Sequence, residues 1–227
     1  MPYFPKLNVC YIHIPKTGGT TIENYLSDLE KKPLHIDTLY HRFTDMIMFE
    51  VEKANTPRHR QILELVMEKK YSLHHFTWKD INDNHKLLLN SEKEPTFLVS
   101  VRNPYDRVVS ELFFLGKINK YMNQNQVYTM LKHYLESNNQ YDNHKTPQYK
   151  FAINENEKLI DNLKIVKTET LNNDMKELGC NGFDKAKRRL KNLHHQSSYM
   201  NFLNKESITL INEYYKKDFI YFDYKML

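Results

Sequence analysis

The sequence predicts an α/β fold in which helices flank a mainly parallel central sheet, and three stretches carry that expectation. Val9 to Ile14 (VCYIHI) is a short apolar, β-branched run that passes through two adjacent glycines into a helical pattern. Thr96 to Val101 (TFLVSV) reads as a buried strand, and the RNP behind it opens another helix. Leu163 to Lys167 (LKIVK) is a third strand, again with helix formers after it. Strands that alternate with helices are joined by crossovers, which makes neighbouring strands parallel.

In chain order, Ile22, Tyr25, Leu26 and Leu29 fall at helical spacing behind the glycines. Pro33 to Lys70 reads as mixed loop and helix, with QILELVMEKK as the helix, and Tyr71 to Phe76 (YSLHHF) reads as a strand. Pro104 suits a first helical position, where its missing N–H costs nothing. That helix carries Val108, Val109, Leu112 and Phe113 and is expected to run toward Tyr121. Asn123 to Asn143 is rich in Asn, Gln and Tyr, with a helix expected around Tyr128 to Glu136. Near the end, SITLINEYYKKDF places Ile208, Ile211, Tyr214 and Tyr215 on a helical stripe, read as core. No repeat, Pro-rich linker or long low-complexity tract divides the chain, so residues 1–227 are expected to form a single domain.

Composition narrows the class. A 40% hydrophobic and 13% aromatic content excludes a disordered chain. Thirty-three Lys and Arg against 28 Asp and Glu leave +5, a mild bias toward an anionic ligand. Cys10 and Cys180 are the only cysteines, too few and too distant for a disulfide framework or a zinc ribbon, and suit a reducing compartment. The first residues lack the parts of a signal peptide, and no run reaches the roughly 20 apolar residues that span a bilayer. The expectation is a cytoplasmic or otherwise intracellular soluble chain, unless an amino-terminal anchor has been removed.

Glycine occurs only five times, yet two of the five sit in IPKTGGTTIE, Ile14 to Glu23. A strand that enters a helix through a glycine turn converges backbone N–H groups on one point, where the helix dipole adds partial positive charge, and phosphate binds such places. Gly18 and Gly19 let the backbone approach an anion, Thr17, Thr20 and Thr21 add hydroxyls, and Lys16 supplies a full charge. In the nucleotide-triphosphatase loop the lysine follows the glycines to reach the β and γ phosphates. Here it precedes them, at the expected strand end, and no apolar run ends in the Asp of a Walker B strand.

IPKTGGTTIENYL resembles the 5′-phosphosulfate loop of sulfotransferases that use 3′-phosphoadenosine 5′-phosphosulfate (PAPS), particularly the carbohydrate O-sulfotransferase branch that includes the heparan sulfate 2-O type. VSVRNPYDRVVSEL, Val99 to Leu112, is similar to that family's 3′-phosphate motif, a strand followed by R-x-P-x-x-R-x-x-S. HKTPQY, KTETL and EYYKKDFIYFDY look like its H-x-x-P-Q, E-x-L and C-terminal Y-x-x-D-F segments. The resemblance touches most of the chain, except Pro33 to Lys70, and implies a P-loop-like three-layer fold.

What it implies chemically is transfer of a sulfuryl group from PAPS to a hydroxyl acceptor, with carbohydrate the expected class. Lys16 would stabilise the leaving phosphate as well as bind it. Arg102 would meet the 3′-phosphate with a planar fork that lysine lacks, and Ser110 would add a hydroxyl. Arg107 reads instead as structural. Imidazole can accept a proton near neutrality, which makes LHHF the informative stretch for a general base. If that stretch is a strand, His74 and His75 point to opposite faces, and His75 is the favoured base with His74 the alternative. No ligand spacing suggests a metal. KAKRRLK, Lys185 to Lys191, with His194, His195, Ser197 and Ser198 behind it, is either a solvated basic face or a loop that closes over adenine. Glu169 either orients an acceptor or caps a helix. Two rivals remain: a P-loop kinase acting on a small molecule, and a non-catalytic polyanion binder working through KAKRRLK. Nucleic acid is not an expected partner, and no pattern fixes the oligomeric state.

Overall fold

The computed structural model describes residues 1–34, 39, 56–89, 91, 93–185 and 198–227. Its sheet has four strands in the order β1 (Tyr3–Phe4), β2 (Val9–Ile12), β3 (Thr96–Val101) and β4 (Leu163–Lys167). β2, β3 and β4 are parallel, and β1 pairs antiparallel with β2. The register sets Ile12 beside Val99 and Val101 beside Lys167. The strand ends that lead into helices therefore emerge side by side.

Alternation along the strands sends side chains to both faces. Cys10, Ile12, Phe97, Val99 and Val101 pack with Ile62, Leu63, Leu65 and Val66 of α2 (Pro57–Lys69) and with Ile81 of α3 (Trp78–Asp83) and Leu88 of α4 (His85–Leu88). Tyr11, Leu98 and Val166 pack on the other face with Ile22, Tyr25 and Leu26 of α1 (Gly19–Glu30) and Met175 of α7 (Leu171–Glu177). A third cluster joins α5 (Pro104–Phe114), α6 (Gln124–Glu136), α8 (Lys205–Tyr214) and α9 (Lys216–Tyr221). Mixed α/β architecture with a mostly parallel sheet flanked by helices is thus what the chain adopts.

Several boundaries differ from expectation. β2 stops at Ile12, where its ladder with β3 stops, so Lys16 lies four residues beyond the strand rather than at its end. α5 ends at Phe114 instead of near Tyr121, because Gly116, at φ 65°, closes it. Gly116 N donates to Phe113 O and Lys117 N to Leu112 O, the paired bonds of a Schellman stop. α6 begins earlier than Tyr128, since Asn123 and Gln126 form a capping box at its start. The last helical stripe is two helices joined at Tyr215: Ile211 and Tyr215 are buried, while Tyr214 is 37% exposed.

The largest departure is YSLHHF. It is no strand: Leu73–His75 form one 3₁₀ turn. A short apolar run satisfies the strand period as readily as any other, and here contacts from a distant loop decide its shape. Asp142 takes the backbone N–H of Ser72 at 2.5 Å and its hydroxyl at 2.7 Å, ahead of the turn.

Candidate active site

The glycine loop is built from the inside outward. Thr17 is fully buried, and its hydroxyl donates to Ile14 O at 2.7 Å and pairs with the Ser100 hydroxyl at 2.8 Å. Ser100 in turn pairs with Tyr11 at 2.5 Å, and the Thr168 hydroxyl donates to Thr17 O at 2.7 Å. Thr17 therefore ties the loop to β3 through its hydroxyl and to the residue after β4 through its carbonyl. Gly18 adopts φ 82° at the N-cap of α1 and brings no side chain to cap that helix. Gly19 is needed for a different reason: a Cβ there would lie 2.6 Å from the Tyr11 hydroxyl and 2.9 Å from His13 Cε1. Thr20 and Thr21 sit half-buried in the first turn. Lys16 is itself left-handed at φ 68°, and its ammonium lies 4.1 Å from the centroid of the Phe114 ring. Burial pulls the Lys16 ammonium below the ordinary lysine value, with Glu111 opposing that shift and Arg102 adding to it.

Arg102 follows β3 directly and reaches the same loop. Its Nη1 donates to Lys16 O at 3.2 Å, while Nε and Nη2 hold Asp106 Oδ2 at 2.6 and 2.5 Å. A guanidinium has five N–H donors. These bonds occupy three of them and leave one on each terminal nitrogen. Ser110, two turns along α5, is 1% exposed.

The remaining motif residues brace this corner. Arg107 is 3% exposed and donates to Pro15 O at 3.0 Å, His144 O at 2.8 Å and Thr146 O at 3.1 Å, the structural role expected of it. Gln148 brackets Arg102 by accepting from its N–H at 2.9 Å and donating to its carbonyl at 2.8 Å. Asp218 accepts from the N–H groups of Gln148 and Tyr149, both at 2.9 Å. Glu169 accepts from Asn103 N at 2.7 Å and from the Tyr224 hydroxyl at 2.9 Å, so it steadies the start of α5 rather than the helix that follows it.

Beside the loop lies a row of imidazoles. Because Leu73–His75 is a turn, His74 and His75 lie on one side, their ring centroids 3.9 Å apart and each 5.3 Å from that of His13. The expectation that only one of the two can face the site therefore fails. His144 continues the row 4.7 Å from His75, and Phe114 stacks on it at 5.6 Å. Three of the rings are anchored through Nδ1: His13 on Glu23 at 2.6 Å, His144 on Glu111 at 2.8 Å, and His75 on the carbonyl and carboxylate of Asp142 at 2.9 and 3.0 Å. A carbonyl can only accept, so His75 Nδ1 carries the hydrogen and Nε2 of the neutral ring keeps its lone pair. Burial, with His144, His13 and the Met1 amine, holds His75 well below the usual histidine value, against the opposing Asp142 carbonyl.

Donor atoms of His75, Asp142 and His144 lie within 4.8 Å of one another, a spacing that an ion could use. The Asp142 carboxylate also accepts from Ser72 N, Ser72 Oγ and His75 Nδ1. A cavity of about 640 Å³ that includes Trp78, Lys86 and Phe97 lies toward the start of β3, the end opposite Arg102, and contains none of the site residues.

The structure thus brings Lys16, the glycines and Arg102 together. His13, Glu23, Glu111 and Asp142 escaped the sequence reading, because their significance rests on contacts across the chain. His194, His195, Ser197 and most of KAKRRLK lie outside the described residues. No helix among the described residues is long and apolar enough to cross a membrane.

Comparison with known proteins gives one match. The model of the sulfotransferase family aligns with residues 3–225. No curated protein and no solved structure matches the chain. A match that takes in the glycine loop, the arginine strand end and the histidine row alike is decisive: the chain belongs to the sulfotransferase family.

Proposed function

We propose that the chain transfers the sulfuryl group of PAPS to a carbohydrate hydroxyl by in-line displacement, with His75 as general base. Family membership supports sulfuryl transfer to a hydroxyl. The observation that carries the finer reading is the bond from Arg102 Nη1 to Lys16 O, which joins two parallel strand ends into one cationic corner. A P-loop-like fold suits a nucleotide lying across such a corner.

In this reading Lys16, the N–H groups at the start of α1 and the half-buried Thr20 and Thr21 hold the 5′ end. The two unspent donors of Arg102 hold the 3′-phosphate, with Ser110 behind them. Thr17 contributes through its backbone, since its hydroxyl is engaged inward. The acceptor oxygen attacks sulfur while the bond from sulfur to the bridging phosphate oxygen breaks. The acceptor proton passes to His75 Nε2, and adenosine 3′,5′-bisphosphate leaves with the bond pair, its charge met by Lys16. Positioning and electrostatics supply most of the rate in transfers of this type. His74, 3.9 Å from His75 between ring centroids, is the alternative base. Phe114, 60% exposed beside Lys16 and His144, offers the flat apolar face on which a sugar ring packs.

A P-loop kinase is disfavoured by the lysine preceding the glycines and by the described strands, which end at Phe4, Ile12, Val101 and Lys167 rather than at an Asp. The test is transfer of labelled sulfuryl from PAPS to a panel of glycan, tyrosine, lipid and small hydroxyl acceptors. Labelled glycan is the expected product. Transfer confined to another acceptor class overturns the carbohydrate assignment, and failure with every acceptor overturns the activity.

A further inference from the structure

Tyr141, Asp142 and Asn143 adopt φ values of 49°, 55° and 66°, three consecutive non-glycine residues in the left-handed region. Each costs roughly 1–2 kcal/mol relative to ordinary backbone, and Tyr lacks the local polar compensation open to Asp and Asn. Such a turn persists only where surrounding bonds over-determine it, and backbone of this kind clusters at functional sites.

Here the bonds converge on one ring. Asp142 directs both its carbonyl and its carboxylate to His75 Nδ1 at 2.9 and 3.0 Å, a residue 67 positions away. Asn143 Nδ2 donates to His75 O at 2.8 Å, and the Thr146 hydroxyl holds Asn143 Oδ1. Ser72 fixes the Asp142 carboxylate from the far side with its N–H and its hydroxyl. Arg107 then ties the same loop, through His144 O and Thr146 O, to Pro15 beside the lysine. A left-handed backbone is what lets one residue present its carbonyl and its side chain to the same nitrogen.

We propose that Asp142 is the positioning residue of the reaction: it fixes the Nδ1–H tautomer and the ring orientation of His75, so that Nε2 is the atom offered to the acceptor. The proposal rests on His75 serving as general base. Glu111 on His144 and Glu23 on His13 hold neighbouring rings in the same manner, but only His75 is gripped by a strained turn that also holds its backbone.

The test uses the full chain carrying Asp142→Asn, with Ser72→Ala as a structural control. In Asp142→Asn one side-chain oxygen still serves Ser72 and the backbone carbonyl still faces His75 Nδ1, but a side-chain amide N–H then competes with that carbonyl for the same nitrogen. Ser72→Ala removes an anchor of Asp142 without touching the ring. Long-range ¹⁵N–¹H spectra of the histidine side chains read the tautomer without turnover. The Nδ1–H form is expected in the wild type and in Ser72→Ala, with a shift toward the Nε2–H form in Asp142→Asn. The kcat of Asp142→Asn should fall roughly 10- to 100-fold, part of the 10² to 10⁴ that a general base supplies, while KM for PAPS changes less than about twofold. An unchanged tautomer in Asp142→Asn overturns the proposal. A changed tautomer with undiminished kcat removes His75 as base and leaves Asp142's hold on the ring standing.

Discussion

A terminal guanidinium nitrogen of Arg102 lies 3.2 Å from the backbone carbonyl of Lys16 and donates to it, although 86 residues separate the two. The contact exists because β2 and β3 are parallel neighbours in register at Ile12 and Val99, so their outgoing loops meet. Two cationic side chains are thereby held in one corner, with burial already pulling the Lys16 ammonium down. In the proposed reading, an anion bound there would offset that burial.

Arg107 holds that corner to the histidine row. Arg107→Ala would strip Pro15 O, His144 O and Thr146 O of their donor inside the protein. Leaving a buried carbonyl without its donor costs about 1–3 kcal/mol. Urea unfolding should show a loss of that order, and Arg107→Lys should recover little of it, because an ammonium cannot span three carbonyls as a planar fork does. Full recovery by lysine would contradict the bracing role.

The two glycines should fail differently. Gly19→Ala puts a Cβ 2.6 Å from the Tyr11 hydroxyl and 2.9 Å from His13, and overpacking of this kind costs roughly 1–3 kcal/mol. Gly18→Ala meets nothing closer than 3.8 Å, but at φ 82° it carries the left-handed penalty of about 1–2 kcal/mol. Thermal unfolding should show both losses. Only Gly19→Ala should also disturb the His13 ring resonances.

The rate should depend on pH in a defined direction. His75 faces His13, His74, His144, Asp142 and the Met1 amine, and its net shift is downward from 6.5. The active form of a general base is the neutral one, so kcat should stay level as pH falls from neutrality through 6.5 and decline only below it. His75→Ala should lower kcat by about 10² to 10⁴ and leave donor affinity intact. An acid limb above pH 6.5 would show that the base lies elsewhere.

Asp218 supplies a separate stability signal. Burial pushes its carboxyl up to about 6 from 3.8, with Arg107 and the N–H groups of Tyr149 and Gln148 opposing the shift. Between these values the folded chain binds more protons than the unfolded one, so the contribution of this group declines as pH rises from about 4 to 6. Asp218→Asn removes that slope but can accept at only one atom, leaving one of two buried N–H groups unpaired at a cost of about 1–3 kcal/mol. The deficit of the variant should therefore be larger at pH 4.5 than at pH 7. Equal deficits would rule out a raised Asp218.

β2, β3, β4 and the start of α5 were legible because their signals are local. VCYI and TFLVSV are β-branched and apolar, Pro104 marks the first turn of α5, and paired glycines announce the loop. YSLHHF was not legible, since its turn depends on Ser72 meeting Asp142 from 70 residues away. Gln148, Glu169 and Asp218 stand in recognisable motifs, yet their work as braces for Arg102, Asn103 and the loop at Tyr149 appears only once the chain is folded. The same holds for Thr17, whose position in the loop suggested a ligand and whose hydroxyl fastens that loop to β3.

In the proposed mechanism Lys16 and Arg102 grip opposite ends of one nucleotide. Calorimetric titration of the full chain with adenosine 3′,5′-bisphosphate tests it most directly. One site is expected, weakened at least tenfold by Arg102→Ala and by Lys16→Ala in folded protein. Absence of binding to the wild type, or affinity untouched by either substitution, would contradict it.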